Sequence, residues 1–253
     1  MSETLLDVRK LNKAFGMVTA AKNLDFTFQR GVLTSVIGPN GAGKSTLINL
    51  LSGHLAPDSG EVWFQGRDIT HEPVYRRVKQ GLCRSFQVVN VFSNLTLFEN
   101  VAIPVLAVRG KAHTLLKPVT AHKEVQADVE RVLDRVGLSE QAHMPARALS
   151  HGDQRLLEVA IALAAKPRLL FLDEPTAGMN PVERTKILGN IRQVAGTGDV
   201  TFVIVEHDMD VVFSLSDRVI ALHRGEIIAD GTPEEIKMNP HVREVYLGEE
   251  VRI

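Results

Sequence analysis

The chain has 253 residues, enough for one large domain or two closely packed lobes at about 150 residues per domain. Hydrophobic residues make up 44% and charged residues 23%, a globular balance that excludes wholesale disorder. Lys and Arg total 29 against 30 for Asp and Glu, so the basic excess of a general nucleic-acid binder is missing and no nucleic-acid partner is expected.

Cys83 is the single cysteine, which excludes an internal disulfide and a cysteine-based metal site and points to a reducing compartment. No segment reaches the roughly 18 consecutive apolar residues that a membrane-crossing helix needs. The most apolar stretches, 101–108 and 156–165, are short, and the second contains Glu158. Residues 1–10 carry acids and lack an apolar signal core. The chain is expected to be soluble, with other chains supplying any membrane part.

In chain order, 5–8 and 26–29 read as short antiparallel strands, and 32–38 (VLTSVIG) as a buried strand. A glycine-rich turn and a helix over Lys44–Ser52 follow, then a further antiparallel strand over 61–65. β-type runs become scarce from Leu95 to about Ala165, where Val125, Val129, Val132, Leu133 and Val136 recur at helical spacing. The basic stretch 109–120, with Pro118, reads as a surface loop. Runs 169–172 and 200–205 are again short strands leading into polar turns and helices. Strands alternating with helices predict a mainly parallel α/β sheet core with antiparallel β additions. A helical lobe, 88–164, is inserted into it.

Residues 38–45, GPNGAGKS, fit G-x-x-x-x-G-K-[ST] between a strand and a helix, where a phosphate cradle requires it. Glycine backbone wraps the β-phosphate with inward N–H groups, and the helix N-terminus adds partial positive charge. Asn40, Gly41, Ala42, Gly43, Lys44, Ser45 and Thr46 are thus the candidate nucleotide contacts. Lys44 reaches the β/γ oxygens and Ser45 offers its hydroxyl to Mg²⁺. The apolar run 169–172 ends in Asp173, positioned to orient Mg²⁺, and Glu174, a candidate general base for the attacking water.

Between these halves stands Leu149-Ser150-His151-Gly152-Asp153-Gln154-Arg155. Here the sequence resembles the ATP-binding cassette family, whose signature is LSGGQ. Other elements of that family follow in order: Gln87 matches the Q-loop, 176–181 (TAGMNP) the D-loop, and His207 the switch histidine. Phe15 stands where the family places an aromatic ring on adenine. The resemblance spans essentially the whole chain, 1–253, as a single cassette ATPase domain with a RecA-like lobe (1–87 and 165–253) around the helical lobe. It implies ATP and Mg²⁺ as cofactors, with Gln87 as a further Mg²⁺ and γ-phosphate contact. It also implies that two cassettes pack head to tail. Ser150 and the Gly152 N–H of one then meet the ATP of the other, and His207 helps hold Glu174 and the water.

Three positions depart from the family pattern. His151 replaces the first signature glycine, Asp153 the usual Gln, and Asn180 a common D-loop Asp. Asp153 is expected to point away from phosphate, toward the helix dipole. The tail 239–249 (NPHVREVYLGE), with 177–181 and 206–209, resembles the branched-chain amino acid import subfamily. Urea or amide importers and the lipopolysaccharide export ATPase share parts of this pattern and stay open as alternatives, as does a soluble cassette ATPase not coupled to transport. The expected partners are transmembrane permease subunits, a second cassette (identical or different) and, indirectly, a solute-binding protein. The expected location is peripheral, at the cytoplasmic face of the membrane.

Overall fold

The computed structural model describes residues 3–85, 91–110 and 123–250. The chain begins β1 (Thr4–Phe15), β2 (Val18–Gln29), β3 (Thr34–Ile37), α1 (Lys44–Ser52), β4 (Ser59–Phe64), β5 (Arg67–Asp68), α2 (Val74–Gln80) and β6 (Leu82–Arg84). Three helices follow, α3 (Leu97–Val108), α4 (Lys123–Arg135) and α5 (His151–Ala164). The order then returns to alternation with β7 (Leu169–Asp173), α6 (Pro181–Gly196), β8 (Thr201–Val205), α7 (Met209–Leu215) and β9 (Arg218–His223). It closes with β10 (Glu226–Gly231), α8 (Pro233–Met238) and α9 (Pro240–Glu250).

Two sheets result. The larger has the order β10-β9-β3-β8-β7-β6, with every neighbouring pair from β9 to β6 parallel and β10 antiparallel at one edge. The smaller is antiparallel, β2-β1-β4-β5. β3, β7 and β8 are buried along their whole length, as expected of parallel strands covered on both faces. Side chains alternate about this sheet: Leu170, Leu172, Phe202 and Ile204 face a core shared with α3, α4, α5 and α6. Phe171, Val203, Val205 and Ile220 face the opposite core, shared with α1 and the small sheet through Phe28 and Phe64. The helical segment therefore rests on the same sheet that carries the phosphate loop.

β1 and β2 are each 12 residues long, not the short strands expected at 5–8 and 26–29. Their pairing shifts register between Val8 and Leu11, between Leu11 and Lys13 and again before Ala14. Each shift breaks the two-residue alternation from which a strand is read, so the outer halves carry no continuous pattern. The short strand β6 and the β9–β10 hairpin are further elements that the sequence reading did not specify. Residues 111–120, most of the expected surface loop, lie outside the described residues, while Arg109 binds Glu124 and Asp128 of α4.

Arg77 of α2 is 1% exposed and ends α1. Its guanidinium donates to the carbonyls of Leu50 (3.0 Å), Leu51 (2.7 Å), Thr70 (2.9 Å) and Glu72 (2.9 Å). The first two are helix-terminal carbonyls; that of Leu50 otherwise accepts, among the described residues, only from the Gly53 N–H at the C-cap, at 3.3 Å. Burial pulls the Arg77 pKa down to about 10, with Glu72 and Asp68 opposing, so it stays charged at neutral pH. Arg77→Met leaves several buried carbonyls unpaired and is expected to cost about 3 kcal/mol in urea denaturation. A change below about 0.5 kcal/mol would rule out this helix-ending role.

Candidate nucleotide and hydrolysis site

β3 lies at the middle of the large sheet and delivers the chain into the loop 38–43 and then α1. The loop is pressed between strands. A Cβ on Gly38 would stand 2.4 Å from the Leu222 carbonyl oxygen, and one on Gly43 (φ 106°) 2.3 Å from that of Ala20. Gly41 is the reverse case, with nothing within 4 Å of its would-be Cβ, so the loop is open on that side. α1 starts without a side-chain cap and without an acid in its first turn. Its leading N–H groups are thus available to an anion. Lys44 is folded over the loop, donating to the carbonyls of Gly38 (2.5 Å) and Pro39 (3.0 Å). Ser45 is exposed beside it and Asn40 sits exposed at the loop crest.

The sheet order puts β8 and β7 beside β3, so their C-terminal ends converge on this loop. Asp173 closes β7 at 1% exposure. Its Oδ2 accepts from Arg84 Nη2 at 2.9 Å, and its buried Oδ1 has no partner among the described residues. Glu174 turns out of the strand at φ 47°, its N–H held by the Val205 carbonyl at 2.9 Å. That left-handed turn aims the side chain away from the sheet, where Glu174 Oε1 meets His207 Nε2 at 2.5 Å. Asp173, Glu174 and His207, read separately from the sequence, are thus brought together.

α5 begins at Ser150, whose Oγ accepts from the Asp153 N–H at 3.1 Å. Among the described residues no hydrogen bond joins Ser150 to the phosphate loop of the same chain. Gly152 packs on α6, where a Cβ would stand 3.1 Å from Glu183 Cγ. Asp153, in the first turn of α5, pairs with Lys186 of α6 at 2.7 Å. Asn180, in place of a D-loop Asp, caps α6 by accepting from the N–H groups of Val182 and Glu183, both at 3.0 Å. Phe15 is half exposed at the β1–β2 turn beside the fully exposed Met17. β2 leads from that turn to Ala20, the residue against which Gly43 packs. Gln87 lies outside the described residues.

The sequence reading missed three residues that hold this arrangement. Glu206 is buried and accepts from Thr176 Oγ1 (2.6 Å) and from the His207 N–H (3.2 Å), tying the D-loop to the switch histidine. Its signal was an acid continuing the apolar run of β8 without a break. Arg155 donates from α5 to the carbonyls of Asp173 and Glu174, both at 3.1 Å. Arg84 bridges Asp173 and Asn49. The four contacts of Arg155 and Arg84 join residues 18 to 89 positions apart and leave no local pattern.

The family model for ABC transporters matches residues 21–177, well over half the chain, from the β2 strand through the phosphate loop, signature helix and both carboxylates. The chain belongs to the ABC transporter family. It is accordingly an ATP-binding cassette that hydrolyses ATP. A second model, the branched-chain amino acid ATP-binding cassette transporter, matches residues 226–252. The high-affinity branched-chain amino acid transport ATP-binding protein LivG of Salmonella typhimurium is 37% identical over 98% of this chain and 100% of its own length. A solved ATP-binding cassette of an ABC transporter in its ADP conformation superposes with a TM-score of 0.86 at 28% identity, covering 98% of this chain and 100% of that one. A dimeric cassette in a post-hydrolysis state bound to ADP and phosphate gives 0.75 at 25% identity, covering 90% and 99%. Among the described residues no helix is long and apolar enough to cross a membrane.

Lys44→Ala removes the side-chain cation folded over the loop. ATP hydrolysis is expected to fall at least about 100-fold, measured by phosphate release. Full turnover in that variant would remove Lys44 from the phosphate site.

Proposed function

We propose that this protein powers uptake of branched-chain amino acids, as one of two cassettes apposed on membrane-embedded permeases at the cytoplasmic face. The observation that carries the cargo assignment is the match of residues 226–252 to the branched-chain amino acid cassette model. The full-length similarity to LivG supports it. In this reading residues 1–87 and 165–253 form the nucleotide-holding lobe and 88–164 the helical lobe turned to the permeases, with a solute-binding protein delivering cargo from the far side.

ATP enters with its phosphates over the loop 40–46 and its adenine against Phe15. Lys44 exchanges two neutral carbonyl acceptors for phosphate oxygens, a stronger charge-assisted contact. Ser45, Asp173 and Gln87 would hold Mg²⁺, and the buried, unpartnered Asp173 Oδ1 fits an acceptor for the metal or its water. Held there, the ion would neutralise charge on the phosphates. Glu174 takes the proton of the attacking water, and His207, in contact with its carboxylate, keeps Glu174 aimed at the γ-phosphate. Ser150 still has its hydroxyl proton to give, because capping α5 uses only a lone pair. With the Gly152 N–H, it closes the second cassette's ATP site from a helix N-terminus. ATP therefore joins the two cassettes, and cleavage of its terminal bond releases them.

Glu174→Gln is expected to bind ATP but lower hydrolysis by about 100-fold or more. With ATP and Mg²⁺ it should migrate as a closed pair, alone or with its partner cassette, in size-exclusion chromatography. A monomer profile under those conditions counts against Glu174 as the base. Ser150→Arg should leave nucleotide binding by the single chain intact while blocking pairing, and an unaltered ATPase rate would contradict the shared site. Cargo is tested by counterflow of labelled leucine in vesicles carrying the reconstituted transporter. No leucine flux, with flux of another solute, overturns the branched-chain assignment.

A further inference from the structure

Asp173 is a carboxylate with 1% exposure, set where a polyphosphate is to be held. A lone buried anion facing phosphates is costly unless a cation compensates it. Arg84, the last residue of β6, supplies that cation with a side chain 13% exposed. Its two terminal nitrogens are divided: Nη2 donates to Asp173 Oδ2 at 2.9 Å and Nη1 to Asn49 Oδ1 at 2.5 Å. Asn49 lies four residues after Ser45 in α1, so the two share a helix face. The bridge Asn49–Arg84–Asp173 thus ties the helix that carries Ser45 to Asp173, the other described residue read as an Mg²⁺ holder. It neutralises one oxygen of Asp173 and leaves the other, Oδ1, buried and without a partner among the described residues.

We propose that Arg84 is a positioning residue that sets the Mg²⁺ requirement of the cassette, by fixing one oxygen of Asp173 against α1 and partly neutralising its charge. Arg84 and the metal compete for the same carboxylate, so Arg84 holds Mg²⁺ affinity down while its charge raises the affinity for metal-free nucleotide. The planar fork matters as well as the charge. A lysine ammonium, a single point, cannot span Asn49 and Asp173 in this way. The proposal rests on the reading of Asp173 as an Mg²⁺ holder.

The test measures binding of a fluorescent ATP analogue to the purified chain, first in EDTA and then across an Mg²⁺ titration. Arg84→Gln is expected to weaken binding in EDTA and to lower the Mg²⁺ concentration for half-saturation, each by about tenfold. Arg84→Lys should retain both values near wild type yet turn over about tenfold more slowly in the assembled transporter, because the fork is lost. Equal weakening of Arg84→Gln with and without Mg²⁺, or an unshifted Mg²⁺ titration, makes the residue merely structural and overturns the proposal. Asp173→Asn separates the two readings, since it should raise the Mg²⁺ requirement. If it does and Arg84→Gln leaves the titration unmoved, only the Arg84 role fails; if Asp173→Asn has no effect, both fail. Should Arg84→Gln not fold, Asn49→Ala keeps the charge and removes the anchor, and wild-type turnover in that variant overturns the proposal.

Discussion

The chemistry of this cassette depends on parallel pairing of β3, β8 and β7 in one sheet. Because the strands run the same way, their C-terminal ends open on one edge, and that edge receives the phosphate loop, the switch histidine and both carboxylates. Ligand sites of open α/β sheets form at such strand ends. Reversing one strand would carry Asp173 or His207 to the opposite edge, so the constellation is a property of the ladder before it is one of individual side chains.

Around this edge the structure ties together segments that lie far apart in the sequence. Arg155 reaches from the signature helix to the backbone of Asp173 and Glu174. Glu206 joins Thr176 to the amide of His207. Asp153 and Lys186 join the signature helix to the D-loop helix. Buried charge-assisted contacts such as those of Arg155 and Glu206 are costly to leave half made. Displacement of the signature helix is therefore felt at the carboxylates of the same chain.

Much of the fold and site was legible in the sequence, and the reasons are local. The phosphate loop declares itself by glycines whose missing Cβ atoms the packing requires, and β7 and β8 by apolar runs buried on both faces. Asp173, Glu174 and His207 follow such runs directly. The extent of β1 and β2 was hidden, because register shifts erase the alternation that marks a strand. Arg84, Arg155 and Arg77 were hidden for another reason. Each acts on carbonyls or side chains brought near only by the completed fold, and an arginine in sequence looks the same whether it faces water or ends a helix. Asn180 was read as a departure from an acid, whereas an amide oxygen serves as well as a carboxylate for capping α6.

Glu174 occupies backbone space that suits glycine or asparagine, and a residue with a longer side chain there carries strain of roughly 1–3 kcal/mol. The fold sustains this by clasping the Glu174 amide to Val205 and its carbonyl to Arg155. With Glu174 as the base proposed above, relaxing the kink with glycine would yield a protein harder to melt and unable to fire. At this one peptide, thermal robustness and the proposed role in turnover are opposed, and a screen that selects only for heat resistance would discard the carboxylate proposed as base.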